Sequence, residues 1–266
     1  MNMIVVPKLL VVNPNTTAAV TERFAMEARR IAGDRAVIEA VTGCFGAGIV
    51  TTRAEAVVAA HSALELLARH GAGFDAAILA ISFDSGLAAA RDVMPIPVIG
   101  ITGAAMTAAI EHSQRIGLVI FGAESLPLYR DLLQSLRLED RITGIEVIEI
   151  ASAGAYLDQA SRDAQVFEAI TGLASAGAGA VVICGAAVVG IADRLRTEAP
   201  LPVFDGAAPA VEAAIAAALA TSFSRRAPAT LSRSIGLDPH LAALIEGRWP
   251  SAPADSPMPT SRSGKE

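Results

Sequence analysis

The sequence holds few of the residues from which metal centres, disulfide frameworks and nucleic-acid interfaces are built. Of its 266 residues, two are cysteine and four are histidine, and none of these follows a metal-ligand spacing. We therefore predict neither a metal site nor a disulfide framework, and a reducing cytoplasm is the expected location. The net charge of −6 gives no electrostatic basis for binding nucleic acid.

Long hydrophobic segments are lacking as well. The longest apolar run, residues 179–192, is short and rich in glycine, so we predict no membrane span. The apolar N-terminal stretch is interrupted by Pro7 and Lys8, and we interpret it as a first strand rather than a signal peptide. The abundant residues are small and apolar, since 53% of the residues are hydrophobic and only 4% are aromatic. That composition is typical of tightly packed α/β layers.

Short apolar runs alternate along the chain with segments of helical period, which predicts parallel sheets with helices on both faces. The predicted strands lie near 8–12, 36–41, 76–81, 97–101, 115–120, 145–149, 179–184 and 202–204. The predicted helices lie near 17–32, 53–70, 85–91, 103–111, 124–135, 161–176, 187–198 and 207–223, and the segment 231–249 contains a further short helix.

An internal repeat predicts two similar halves. Residues 74–100 align with residues 177–206 when Ser82 is matched to Cys184. Residues 8–17 align more loosely with residues 115–125. We therefore expect two pseudo-symmetric, doubly wound parallel-sheet domains with the active site in the cleft between them. The predicted boundaries are 1–102 plus 206–249 for the first domain, 103–205 for the second, and a disordered Pro/Ser-rich tail over 250–266.

Two nucleophile-type residues stand at equivalent strand ends in this repeat. Ligands bind beyond the carboxyl ends of parallel strands, so Ser82 and Cys184 are expected on opposite sides of the cleft. A thiol at a helix N-terminus has a lowered pKa, and we predict this setting for Cys184. The competing interpretations are a small buried hydrophobic residue for Cys184 and a helix cap for Ser82, a role that Asp84 and Ser85 would fill equally well.

The segment "NPNTT", residues 13–17, follows the first predicted strand directly. Pro14 fixes a turn, and Asn15 or Thr16 can cap the helix that begins there. Backbone N–H groups at such a helix start can hold an oxygen that develops negative charge. An ordinary capped turn between strand and helix explains the same residues.

Several of these segments together resemble one family. "LLVVNPNTT", "FGAGIVTTRAEAVVAAHSALELL" (45–67), "SFDSGLAAAR", "PVIGITGAAM" and "ICGAAVVG" resemble the hydantoin racemase branch of the aspartate/glutamate racemase superfamily, over most of residues 8–245. The resemblance implies a cofactor-independent enzyme that acts on a carbon acid between two domains. Relatives racemise 5-substituted hydantoins or allantoin with two cysteines, one on each face of the stereocentre, and they assemble into homo-oligomers.

One position departs from the family's pattern. Cys184 matches the second cysteine, but Ser82 stands where the first is expected, and the family's Cys-Phe-Gly-Asp turn here runs from Ser82 to Ser85. A hydroxyl is a far weaker acid than a thiol, so we expect impaired proton exchange on that face with binding retained. Cys44, after the second predicted strand, is a weaker candidate for the missing thiol.

The resemblance and the loop positions also predict the walls of the site. Small apolar loop residues suit an uncharged ring such as a hydantoin or a ureide, and no cofactor is expected. Arg53, at the start of a predicted helix, is expected to face solvent or an acidic residue. The predicted substrate-binding residues are Asn13, Asn15, Thr16, Gly46, Val50, Phe83, Gly122 and Gly185.

Two other functions fit the same sequence. Arylmalonate decarboxylases of this superfamily use a single cysteine in the second half, as Cys184 without a partner would. A protein that binds a ureide or hydantoin without catalysis would also keep the cleft. Proton exchange at the substrate carbon distinguishes this binder from both enzymes.

Overall fold

The computed structural model describes residues 6–150, 159–220 and 234–249, and it contains two four-stranded parallel sheets. The strands are β1 Lys8–Asn13, β2 Val37–Thr42, β3 Ala76–Leu79, β4 Val98–Gly100, β5 Ile116–Phe121, β6 Ile142–Ile148, β7 Ala180–Ile183 and β8 Val203–Phe204. The strand order is β2-β1-β3-β4 in the first sheet and β6-β5-β7-β8 in the second. The predicted α/β class with two similar parallel sheets is confirmed.

Helices cover both sheets. They are α1 Ala18–Ala32, α2 Arg53–His70, α3 Leu87–Val93, α4 Ile101–His112, α5 Leu126–Leu136, α6 Gln159–Ser175, α7 Ile191–Leu195, α8 Ala207–Leu219 and α9 Pro239–Ile245. None of the helices in these described ranges is long and apolar enough to cross a bilayer.

The strands in the middle of each sheet read as continuous apolar runs. Every residue of β3 (AAIL) and of β7 (AVVI) is buried. Because helices pack on both faces of a parallel sheet, neither face of such a strand meets water, and the alternation of apolar and polar residues disappears. Amphipathic α1 shows the complementary pattern, since Val20, Phe24 and Ala28 recur four residues apart on its buried face.

One continuous helix joins the two sheets. Helix α4 begins at Ile101, directly after β4, and leads to β5, so the boundary predicted between residues 102 and 103 lies inside a helix. Helix α8 packs on α1, β3 and β4, and α9 packs on α2. Residues 221–233 and the predicted tail 250–266 lie outside the described residues.

The pairing register corrects the internal repeat. Ala77 pairs with Val98 in the first sheet, and Val181 pairs with Val203 in the second, where each of these valines follows a proline. Counting along both strands from this match makes Cys184 equivalent to Ala80, and Ser82 equivalent to Ala186. The backbone N–H of Ala80 donates to Val12 O at 2.8 Å, as that of Cys184 does to Val119 O at 2.9 Å. The predicted alignment of the repeat, which matched Ser82 to Cys184, was therefore wrong by two residues.

The helix predicted over 187–198 is also shorter than expected. Residues Ala186–Val188 form a 3₁₀ turn, and α7 begins only at Ile191. Gly190 lies between them with φ 85°, in the left-handed region that interrupts a right-handed helix.

Candidate active site

A small cavity of about 40 Å³ lies where the carboxyl ends of both sheets meet. Its walls come from the segments that follow β1, β2 and β3 in the first half and β5, β6 and β7 in the second, with Val20 of α1, Phe121 of β5 and Tyr129 of α5. This is where parallel α/β proteins bind ligands. The lining residues are Asn15, Val20, Ile49, Val50, Thr51, Ile81, Ser82, Phe83, Phe121, Ser125, Tyr129, Ile150, Ala186 and Ala187.

Four of the predicted site residues line this cavity, namely Asn15, Val50, Ser82 and Phe83. The other six predicted site residues do not line the cavity. Thr16 and Gly46 are exposed outside it. Gly122 and Gly185 are buried beside lining residues without lining the cavity themselves. The last two, Asn13 and Cys184, are buried in the protein interior.

The Asn13 side chain forms hydrogen bonds within the protein and is not available to a ligand. Its Nδ2 donates to Asn15 Oδ1 and to Thr21 Oγ1, both at 2.9 Å, and its Oδ1 accepts from the Asn15 backbone N–H. Asn15 Oδ1 also accepts from the Thr17 N–H at 2.9 Å. These bonds fix the orientation of the Asn15 amide, whose Nδ2 donates to no acceptor among the described residues. Asn15 can therefore offer a ligand a hydrogen-bond donor.

The backbone of "NPNTT" does not provide the expected anion site. Its N–H groups already have partners within the protein: that of Asn15 donates to Asn13 Oδ1, that of Thr16 to Ala47 O at 3.1 Å, and that of Thr17 to Asn15 Oδ1. These bonds attach the loop after β2 to the start of α1. The N-cap residue of α1 is Thr17, and no side chain caps the helix, so the predicted cap by Asn15 or Thr16 was wrong. The segment is an ordinary turn between strand and helix.

Ser82 lies in the cavity wall without a group that could activate it. No histidine, lysine or carboxylate is among the described residues that line the cavity. The Ser82 carbonyl accepts a hydrogen bond of 2.5 Å from Thr102 Oγ1, which holds the turn in place. In the described part of the chain, the backbone N–H groups of Ser82, Phe83, Ala186 and Ala187 have no acceptor, and all four residues line the cavity.

Cys184 differs from its predicted setting. Only 2% of it is exposed, and the 3₁₀ turn that follows it starts no α-helix. Burial, followed by the nearby charge of Asp84, raises the pKa of the Cys184 thiol well above its ordinary value. The predicted low pKa was wrong because the strand end is covered, and the resting group is a thiol. Cys184 belongs to the same apolar cluster as Tyr129, against which Phe83 packs.

Two aromatic rings form one wall of the cavity. Phe83 meets Tyr129 edge to face, with ring centroids 4.8 Å apart. On its other side Phe83 lines a much larger groove of about 1330 Å³, which runs along α4 and reaches Asp84 but neither Ser82 nor Cys184. The ends of β4 and β8 also line this groove. We place the site in the smaller cavity because Ser82 and Asn15 line it together with the segments that follow β5, β6 and β7.

Sequence reasoning missed Tyr129 and Ser125, which line the cavity from the segment after β5. The single hydrogen of the Ser125 hydroxyl is shared between the carbonyl oxygens of Phe121, at 3.0 Å, and Gly122, at 2.7 Å, where β5 ends. A polar residue a few positions after a predicted strand was the available signal.

Two smaller expectations have clear outcomes. Arg53 pairs with Asp131 at 2.7 Å on the surface, which confirms that it faces an acidic residue. Cys44 is exposed and does not line the cavity. No three His, Cys, Asp or Glu side chains come together as a possible metal site within the described ranges.

The geometry agrees with comparisons to known proteins. The family model described as "Asp/Glu/Hydantoin racemase" matches residues 9–214. The chain belongs to this racemase family. A hydantoin racemase from Rhizobium meliloti is 28% identical over 216 residues, which cover 79% of this chain and 90% of that protein.

Solved structures of the family share the fold. Allantoin racemase from Klebsiella pneumoniae is 31% identical with a TM-score of 0.74, covering 81% of this chain and 90% of that one. Allantoin racemase from Pseudomonas fluorescens is 27% identical with a TM-score of 0.70, covering 79% and 89%. Arylmalonate decarboxylase, at 13% identity and a TM-score of 0.55, covers 83% and 95% and shows likeness of fold alone.

Proposed function

We propose that this family member is a cofactor-independent racemase of a carbon acid, with a 5-substituted hydantoin or allantoin as substrate. The observation that carries the proposal is a cavity lined by Asn15 and Ser82 of the first half and by Ser125, Tyr129 and Ala186 of the second, in a chain that is 31% identical to an allantoin racemase. A racemase needs acid–base groups on two faces of one carbon, and a cavity between two similar halves offers both faces.

In the proposed reaction a base on one face removes the proton from the stereogenic carbon and an acid on the other face returns one. Because Cys184 is buried and does not line the cavity, its part in the reaction requires that the segment 185–187 shifts when substrate binds. Cys184 then acts from the second half, and position 82 acts from the first. Thiols suit both roles because their reference pKa, about 8.5, allows either form near neutral pH. The Ser82 hydroxyl is a weak partner, so this reaction is slow in the protein with its own sequence.

The developing enolate oxygen needs hydrogen-bond donors. The backbone N–H groups of Ser82, Phe83, Ala186 and Ala187 have no acceptor among the described residues and belong to the cavity wall. Together with Asn15 Nδ2 they provide donors without a competing carboxylate. Preorganised donors of this kind usually contribute the largest part of catalysis in enolate chemistry.

The test is deuterium exchange at C5 and loss of optical rotation in D₂O, with each enantiomer of 5-benzylhydantoin and of allantoin. We expect Ser82→Cys to accelerate exchange and inversion of both enantiomers by about 10²–10⁴-fold. Ser85→Cys is the matched control, because Ser85 belongs to the same turn as Ser82 but does not line this cavity. Equal rates for the parent, Ser82→Cys and Ser85→Cys on every substrate would contradict the proposal.

One observation favours a second candidate. Cys184 is held as a thiol, and no described residue in the cavity wall is a base. Such a site can protonate a carbanion that arises by loss of carbon dioxide without first removing a proton. Turnover of an arylmalonate to one enantiomer by the parent protein, without exchange of hydantoins, would identify this single-thiol chemistry.

A further inference from the structure

Two hydroxyl-bearing residues of the cavity wall, one from each half, have no hydrogen left to donate to a ligand. Thr51 comes from the segment between β2 and α2, and Ser125 comes from the segment between β5 and α5. In both residues the backbone N–H and the hydroxyl donate to acceptors of the protein itself. Inside the cavity they can therefore offer only oxygen lone pairs, which accept hydrogen bonds.

Glu55 accepts from both donors of Thr51. Its Oε2 accepts from the Thr51 backbone N–H at 2.8 Å, from the Thr51 hydroxyl at 3.2 Å and from the Thr52 N–H at 2.9 Å. These hydrogen bonds, with that from the Thr51 N–H the largest cause, lower the pKa of Glu55, so the group is a carboxylate near neutral pH. A carboxylate can only accept, so the Thr51 hydroxyl is the donor of this pair and its hydrogen points to Glu55 rather than to a ligand.

Backbone oxygens fix Ser125 in the same way. Its N–H donates to Gly122 O at 3.1 Å, and its hydroxyl hydrogen is shared between Gly122 O and Phe121 O. The residue is only 2% exposed, so bulk water offers its hydrogen no other acceptor. Turning that hydrogen to a ligand would break a bond already made inside the protein, and Ser125 is therefore an acceptor in the cavity.

The donors in the cavity wall come from other residues. They are the N–H groups of the turns at 82–83 and 186–187 and the Nδ2 of Asn15, none of which has an acceptor among the described residues. The described lining residues include no lysine, arginine or histidine, and the Glu55 charge lies directly behind Thr51. An uncharged ligand with both carbonyl oxygens and N–H groups fits this pattern. A carboxylate does not, since it has no N–H for the two hydroxyl oxygens and its charge meets no cation.

We infer that Thr51 and Ser125 accept hydrogen bonds from the N–H groups of the substrate, and that the cavity therefore selects a cyclic ureide over a carboxylic acid. The inference rests on the proposed function and makes it more specific. A hydantoin ring carries two N–H groups, whereas an arylmalonate carries none. Glu55 touches no ligand and is a positioning residue, because it keeps Thr51 an acceptor.

The test measures the binding of ligands that do not react. Hydantoin, its 1-methyl and 3-methyl derivatives and phenylacetate are titrated into the full chain by calorimetry near neutral pH, and each methyl group replaces one ring N–H. Thr51→Val and Ser125→Ala remove the two hydroxyls, and Thr51→Ser keeps one. Thr171→Val and Ser175→Ala are the matched controls, because their hydroxyls also donate to backbone carbonyls but line neither the cavity nor the groove.

We expect the parent to bind hydantoin at least about tenfold more tightly than phenylacetate or either methyl derivative. Thr51→Val and Ser125→Ala each weaken hydantoin binding by about tenfold, because one ligand N–H is left buried without an acceptor. Each also reduces by about tenfold the preference for hydantoin over one methyl derivative, a different one in each variant, since that ligand never made the lost bond. Thr51→Ser and both controls keep the preferences of the parent.

Three results would overturn the inference. They are tighter binding of phenylacetate than of hydantoin by the parent, no binding of hydantoin by the parent, and unchanged preferences in folded Thr51→Val or Ser125→Ala. The preferences of the parent decide the question if neither variant folds. Hydantoin binding with the expected preferences, but without deuterium exchange of 5-substituted hydantoins in any variant, would contradict the racemase proposal and leave this inference intact.

Discussion

The turn after β3 and the turn after β7 occupy equivalent places in the two halves but place their reactive residues differently. Cys184 follows the last ladder pair directly and is buried, whereas Ser82 stands two residues farther along and lines the cavity. Ala186 and Ala187 take the places in the second half that Ser82 and Phe83 take in the first. The repeat therefore preserves the shape of the turn and not the position of its chemical group.

The buried carboxylates differ in the same way. Asp84 reaches from the turn after β3 to the start of α4, while Asp205 reaches back from the end of β8 to the N–H groups of Gly190 at 2.7 Å and Ala192 at 3.2 Å. Gly100 is the residue of the first half that is equivalent to Asp205. Each half thus joins its third-strand turn to its fourth-strand end with one carboxylate, supplied from opposite sides. Both halves therefore have a buried carboxylate that accepts from backbone N–H groups, but the carboxylate comes from a different position in each half.

The largest effect is expected when the buried carboxylate of the first half is moved to the position that it has in the second. Gly100→Asp alone should destabilise the protein by about 4 kcal/mol or more, because overpacking adds to a second buried charge beside Asp84. Asp84→Ala alone should cost about 2 kcal/mol, since two buried N–H groups lose their acceptor. The double variant should be more stable than Gly100→Asp by at least about 2 kcal/mol, as measured by urea unfolding.

That double-mutant cycle also has a clear negative result. Additive losses in the double variant would mean that a carboxylate from position 100 cannot reach the start of α4. The two halves would then be only superficially alike in this feature.

A smaller effect concerns pH. Burial raises the pKa of Asp84 from 3.8 to about 6, despite its hydrogen bonds to α4. The folded protein therefore binds a proton more tightly than the unfolded chain, so this contribution to stability is complete below pH 3.8 and is lost as pH rises through about 6. The loss is about 3 kcal/mol.

Asp84→Asn isolates this contribution, since the amide does not titrate. The stability of the parent relative to Asp84→Asn should fall by that amount between about pH 4 and pH 7, as measured by urea unfolding at each pH. A stability difference that is independent of pH would show that the carboxylate is already ionised in acid.

The smallest effect belongs to the surface contact between the halves. Arg53 on α2 and Asp131 on α5 form an ion pair whose side chains are both more than half exposed. Water and salt screen such a pair, so Arg53→Ala and Asp131→Ala should each leave the urea midpoint almost unchanged. A large loss in both variants would show that the surface pair, and not the buried turns, holds the halves together.

The fold was largely predictable because its signals are local. Apolar runs as short as β3 and β7, separated by helical patterns, have few alternatives to a buried parallel sheet. The domain boundary between residues 102 and 103 was harder to predict, since a helix that continues directly from a strand end leaves no change in composition. The start of the helix predicted over 187–198 was wrong for a local reason, a left-handed glycine at position 190.

The site was predictable only in outline. Strand ends, loop positions and the family resemblance together predicted Ser82, Phe83, Asn15 and Val50, all of which line the cavity. The environment of Cys184 was not predictable, because its burial and the charge of Asp84 come from segments about a hundred residues apart in sequence. The partners of the "NPNTT" N–H groups were equally hidden, since Ala47 belongs to a loop whose path depends on the fold.

The path of α8 has a consequence for the order of synthesis. This helix packs on α1, β3 and β4 of the first half but is encoded after every strand of the second. On the ribosome, the second sheet is therefore complete in sequence while the first still lacks a helix that covers it. We expect the second half to gain structure first, with the emergence of residue 219 allowing the first to close.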